Sequence, residues 1–140
     1  MRAAWTRLLA VSFVFWCEGC VGDAPLYSGS WVEPAEPLRV EAGRFSPVSL
    51  EVRNEGTATW TSEEVYVLPM MLPPSWIGGR LKLARETKPG EVGSFGGTLS
   101  AGSAGAGQYS ASWAVFVRGA QFGGELETPV EVTCSNGTSC

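Results

Sequence analysis

A period of two runs through this sequence and limits what it can fold into more than any other feature. Val48, Leu50 and Val52 alternate with Ser49, Glu51 and Arg53. In a longer run, Tyr109, Ala111, Trp113, Val115 and Val117 share one side, with Ser110 and Ser112 opposite. Successive side chains of a strand point to opposite faces, so this alternation describes strands with one face buried. After the first twenty residues no window sets apolar side chains at i, i+3, i+4 and i+7, as an amphipathic helix requires. Shorter runs at 38–40, 64–68, 81–83, 92–99 and 129–133 are separated by Gly, Pro and Asn, the residues of turns. Pro69 is expected to stop the 64–68 run. The pattern predicts an all-β fold: an immunoglobulin-like β-sandwich of about seven strands over residues 37–133, with a tail at 134–140. Trp60 and Trp113 would each bury on the order of 200 Å² and dominate so small a core.

The N-terminal residues are of a different kind. Arg2 and Arg7 flank the start of an apolar run over residues 8–16 that only Ser12 interrupts. That run falls well short of the roughly 20 residues a spanning helix needs and matches the apolar centre of a secretory signal. It ends in Trp16-Cys17-Glu18-Gly19-Cys20, which resembles a bacterial lipobox, where a cysteine behind a small residue is acylated and becomes the new N-terminus. The expectation is a lipoprotein-type signal peptide at 1–19, lipidation of Cys20, and a tether over residues 20–36. Plain cleavage near Gly22, giving a secreted soluble protein, is the alternative. Cleavage removes Cys17 and acylation consumes the Cys20 thiol, which leaves Cys134 and Cys140 as an even pair in an oxidising compartment. A disulfide between them would constrain the unfolded chain by roughly 2–3 kcal/mol.

Three blocks, in order, carry a family likeness. The first is the segment from Val52 to Trp60, with its N-x-G-T-x-x-W turn at Asn54, Gly56 and Trp60. The second is the Lys88-Pro89-Gly90-Glu91 turn, and the third runs through a strand with Gly107, Tyr109 and Trp113, a turn at Phe122-Gly123 and a closing strand with Val130-Glu131-Val132. Together they resemble the four-tryptophan, immunoglobulin-like central domain of the next-to-breast-cancer-gene-1 autophagy receptor, a family that also occurs in bacterial exported proteins. Leu50 stands where that family commonly has a further tryptophan. The resemblance implies a protein-recognition module; from the side chains present, no cofactor is expected.

Composition narrows the chemistry. The chain has no histidine, the usual general base and commonest metal ligand, and two thiols alone cannot complete a zinc site. Of its 14 carboxylates all but Asp23 are glutamates scattered along strands and turns, so no catalytic pair and no metal cluster is expected. A net charge of −4 with ten scattered Lys and Arg gives no basic stripe for nucleic acid. The least ordinary stretch is 68–79, where Met70, Met71 and Trp76 stand among three prolines. It either folds back over an open end of the sandwich or offers Met70, Met71 and Trp76 to a protein partner. The leading expectation is a non-catalytic protein-binding or adaptor module on a bacterial membrane. The alternatives are a carbohydrate-binding sandwich using an exposed Trp76 or Trp31, and a structural subunit of an envelope complex. Because two or more acyl chains hold a protein where one is marginal, Cys20→Ser should move the protein from the membrane to the soluble fraction. Fractionation with palmitate labelling checks this, and an unlabelled wild type would refute it.

Overall fold

The computed structural model of the chain describes residues 25–134; the signal segment, Cys20 and Cys140 lie outside the described residues. Nine strands form among the described residues: β1 (Gly29–Val32), β2 (Leu38–Glu41), β3 (Phe45–Asn54), β4 (Val65–Met71), β5 (Ile77–Gly78), β6 (Leu81–Leu83), β7 (Val92–Ser100), β8 (Gly107–Val117) and β9 (Ala120–Thr133). They join in the order β1-β3-β7-β6-β4-β8-β9-β2, with β5 also on β7. The sheet curls so that β3 and β7 face β4, β8 and β9 across one core. This is the strand order of an immunoglobulin-type sandwich, with β1 and β2 as a first strand divided between the layers. β2 runs parallel to β9, the one parallel pairing in the sheet.

The period of two places the core. Val48, Leu50 and Val52 of β3 turn inward to meet Phe95 and Leu99 of β7. From the other layer come Val65, Val67, Trp113, Val115, Leu126 and Val130. Trp113 is fully buried at the centre, where its indole N–H donates to Thr128 Oγ1 at 3.0 Å. Tyr109, at the start of β8, donates its hydroxyl to the Gly105 carbonyl at 2.8 Å, the tyrosine corner of this architecture.

Three local expectations are corrected. Residues from Pro25 onward are not tether: β1 pairs antiparallel with β3 from Gly29↔Asn54 to Val32↔Glu51, and Tyr27 and Trp31 pack on the core. A backbone bonded this way cannot swing as a linker. Pro69 does not stop β4, which pairs with β8 as far as Met71↔Ser112. β6 pairs only with Tyr66 and Val67, so beyond them one side of β4 is open. The Glu64 carbonyl accepts from the Arg118 N–H on the β8 side, and by alternation Pro69 turns its missing donor to the open side. Pro47 sits likewise on the part of the β3 edge that four-residue β1 leaves uncovered, which blunts that edge. Finally, Phe122-Gly123 is not the turn between β8 and β9. That turn is Arg118-Gly119, both at positive φ, whereas Gly123 begins a bulge inside β9.

The sequence motif around Asn54 has a compact physical basis. Asn54 is fully buried, and its side-chain amide donates to the carbonyls of Ala58 (2.9 Å) and Thr87 (3.0 Å) while its Oδ1 accepts from the Gly56 N–H (3.0 Å). A Cβ at Gly56 would collide with the Leu26 carbonyl oxygen, which itself accepts from Thr57 and Ala58. Lys88-Pro89-Gly90-Glu91 is a tight turn in which Gly90 takes φ 89°, a conformation other residues resist. Its Gly90 N–H donates to the Asn54 carbonyl at 2.7 Å. Trp60, bridged to Thr87, is buried against Phe95 (6.2 Å) and Phe122 (5.6 Å). Tyr27 and Glu64 flank Arg118, and their interactions hold its guanidinium pKa above the ordinary value. Asn54→Ala would leave the buried Gly56 N–H and the half-buried Ala58 carbonyl without this partner at about 1–3 kcal/mol each, while the Thr87 carbonyl keeps the Trp60 N–H. Chemical denaturation should show a loss of roughly 2 kcal/mol or more, and a loss under about 1 kcal/mol would contradict this account.

Candidate interaction surface

β4 ends where β8 continues. Met70 is the extra residue of a bulge between Pro69↔Trp113 and Met71↔Ser112, after which the chain leaves β8 and crosses to β7 at Ile77↔Ser100. This crossing is the 68–79 stretch, and the structure divides its apolar residues. Trp76 is buried, only 8% exposed, with its ring 5.2 Å from Tyr109. Met71, Ile77 and Met70 are 71%, 57% and 44% exposed. Trp76 is therefore removed from the expected binding surface and serves as the plug over the open end of the sandwich. The reason is energetic. Burying an indole of about 200 Å² stabilises by roughly 5 kcal/mol, whereas its N–H, which has no protein partner, costs about 1–3 kcal/mol.

The plug is held by its own turn. Ser75 lies at φ 73°, an uncommon conformation for a residue with a side chain. Its carbonyl packs so close to Gly102 that any Cβ there would clash. Leu72 and Pro69 fill the space beside Gly78, where β4 and β5 diverge.

Phe45, the first residue of β3, pairs with Ser100, and Ile77 pairs with the same Ser100 from the other side. The two apolar side chains thus share one row on the outer face, with Phe45 60% exposed. On the other layer, Met71, Ser112 and Glu127 form a corresponding row across β4, β8 and β9. An open depression of about 370 Å³ lies there, lined by Met71, Ser110, Ala111, Ser112, Glu125 and Glu127. Ser110 donates its hydroxyl to Glu127 at 2.6 Å. Among the described residues no three acidic or thiol side chains gather as a metal site needs.

The motif residues lie apart from this surface. Asn54, Gly56, Trp60, Pro89, Gly90 and Phe122 cluster at the opposite end, Gly123 lies in the β9 bulge, Trp113 sits in the central core, and Tyr109 lies beneath Trp76. Cys134 is disulfide-bonded. Sequence reasoning missed Phe45, although extending the Val48 alternation back through Pro47 puts it on the outward face. Ile77 lies in a two-residue strand, too short to show a period. No family model matches the chain, and no curated protein is significantly similar to it.

Stability should separate the buried from the exposed members of this stretch. Trp76→Ala is expected to cost about 3–5 kcal/mol and Met71→Ser no more than about 0.5 kcal/mol. Equal losses in thermal unfolding would show that the division between plug and surface is wrong.

Proposed function

We propose that the protein is a non-catalytic protein-binding adaptor, displayed on a bacterial membrane through lipidated Cys20 and engaging its partner with the apolar end of the sandwich. One observation carries this reading. Of the five large apolar side chains exposed among the described residues, four (Phe45, Met70, Met71 and Ile77) belong to that end, three of them to a single crossing segment. Isolated exposed apolar residues are ordinary, but a group at one end of a small domain is characteristic of a contact surface. Methionine adapts its shape to a partner, and the fixed aromatic Phe45 supplies an anchor. The likeness of the Asn54, Gly90 and Trp113 blocks to the four-tryptophan family supports protein recognition. The absence of histidine and the scattering of glutamates support a role without catalysis.

The carbohydrate-binding alternative needs a flat exposed indole. Trp76 is buried, and Trp31 packs on the core with its N–H bonded to the Gly124 carbonyl at 2.7 Å. Trp76 is thus withdrawn from such a platform and Trp31 is half-buried, which favours protein recognition.

Changing Met70, Met71 and Ile77 together to Ser is expected to leave the melting temperature nearly unchanged, since exposed substitutions cost no more than about 0.5 kcal/mol each. The same change should abolish whatever the wild-type domain retains from detergent extract in a pull-down. A stable variant that retains the same proteins would move the binding surface elsewhere.

A further inference from the structure

We infer that the protein partner brings a carboxylate to Arg80 and Lys82, which continue the Phe45–Ile77 surface along the outer face of the sheet; this rests on the protein recognition proposed above. The strand register places the apolar and basic groups side by side. Ile77 pairs with Ser100 of β7, and Lys82 pairs with Gly96 of the same strand. By continuation Arg80 lies opposite Thr98, one outward row from Ile77. Leu81 and Leu83 turn into the core, which leaves Arg80 and Lys82 exposed on one face, about 7 Å apart at the usual strand rise.

Arg80 is held without being neutralised. Arg39, Arg44 and Arg118 each reach a glutamate, whereas among the described residues no carboxylate lies within ion-pair distance of Arg80 or Lys82. The Arg80 guanidinium instead lies 3.7 Å from the centre of the Tyr66 ring. That ring is itself pinned: its hydroxyl accepts from the Gly119 N–H at 2.9 Å, and it stacks on Phe116 at 5.8 Å with 5° between the planes. A guanidinium already ordered on a ring loses less freedom on taking up a carboxylate than one extended into water. Beside Lys82, Gly96 carries no side chain and leaves the β7 side of the ammonium open. The occupant follows from the size and sign of this patch. Two cations suit the two oxygens of one carboxylate, whereas nucleic acid needs a longer basic run. Glu51 and Glu64 also hold the next outward row, which opposes an extended polyanion. Continuity with exposed Ile77 makes the carboxylate that of an Asp or Glu beside apolar side chains of the partner, and arginine is a frequent anchor in such interfaces.

Nitrogen-15 NMR of the whole chain in non-ionic detergent tests this with two blocked peptides, acetyl-Leu-Leu-Glu-Glu-amide and its Gln-Gln counterpart. The Glu peptide should shift the Arg80 Nε–H and Ile77 N–H signals together and bind several-fold more tightly than the Gln peptide. In the variant carrying Arg80→Gln and Lys82→Gln the two peptides should bind alike. Equal binding of both peptides to the wild type overturns the inference and leaves the apolar surface standing, as does a preference that survives the double change. Inorganic phosphate that matches the Glu peptide at Arg80 overturns it too, by making this a site for small anions. A Glu peptide that shifts Arg80 but leaves Ile77 unmoved removes instead the apolar surface on which the inference rests.

Discussion

Asn54 is buried at the end of β3, and its amide uses both donors and its acceptor on backbone groups of two separate segments, the loop at Gly56 and Ala58 and the bridge at Thr87. A side chain of that kind is costly to bury unless each polar atom is met, and once met it fixes the geometry of everything it touches. Here it ties the loop after β3 to the Thr87 bridge, while its own carbonyl receives Gly90 from the turn before β7. Trp60 can pack, tilted, against Phe95 and edge-on against Phe122 because that loop is held in place behind it. The spacing of Asn54, Gly56 and Trp60 follows from this arrangement. Asparagine supplies both hydrogen-bonding types, glycine lets the N-terminal segment approach, and tryptophan fills the end of the core.

Burial alternates along β3 without exception, and this is why the fold class could be read from the sequence. The same logic failed for β1, whose four residues are all half-buried and carry no period. Its place comes from pairing with β3 and from Trp31 reaching across to Gly124, neither of which leaves a local signal. Pro69 misled for a related reason. The rule that proline ends a strand assumes neighbours on both sides, and β4 loses one of them after Val67. Which apolar residue of 68–79 would turn inward was equally hidden. Met70, Met71, Trp76 and Ile77 are all hydrophobic, and only the gap between β4 and β5, with Tyr109 beneath it, selects the indole.

Trp76 also shows what limits the crossing segment as a binding surface. It leaves a buried N–H without a protein partner and follows a serine in a left-handed conformation, two costs that a purely structural cap could have avoided. They are offset by the apolar area of the indole and by the closeness of Ser75 to Gly102. The plug thus holds the segment down at both edges while Met71 and Ile77 remain outside. A fixed backbone carrying adaptable side chains loses less conformational freedom on binding than a loose loop would.

The two ends of the sandwich are satisfied in different ways, and this bears on which of them binds. At the Asn54 end, successive loops are cross-linked: Leu26 to Thr57 and Ala58, Asn54 to Thr87, Lys88 to Glu91, and Arg118 to Glu64 at 2.8 Å. The Phe45–Ile77 end has a two-residue strand, a bulge at Met70 and edges blunted by proline. Local opening costs least where backbone hydrogen bonds are fewest, and ligand-binding segments are drawn from that part of a structure. The end with fewer constraints is also the one that exposes Phe45, Met71 and Ile77. The heavily bonded end receives the chain from Pro25 and ties it through Leu26 and β1 to β3. In the reading proposed above, a partner at the Phe45–Ile77 end and an acylated Cys20 at the other would act on opposite ends of β3, so that binding would leave the Asn54 hydrogen bonds undisturbed.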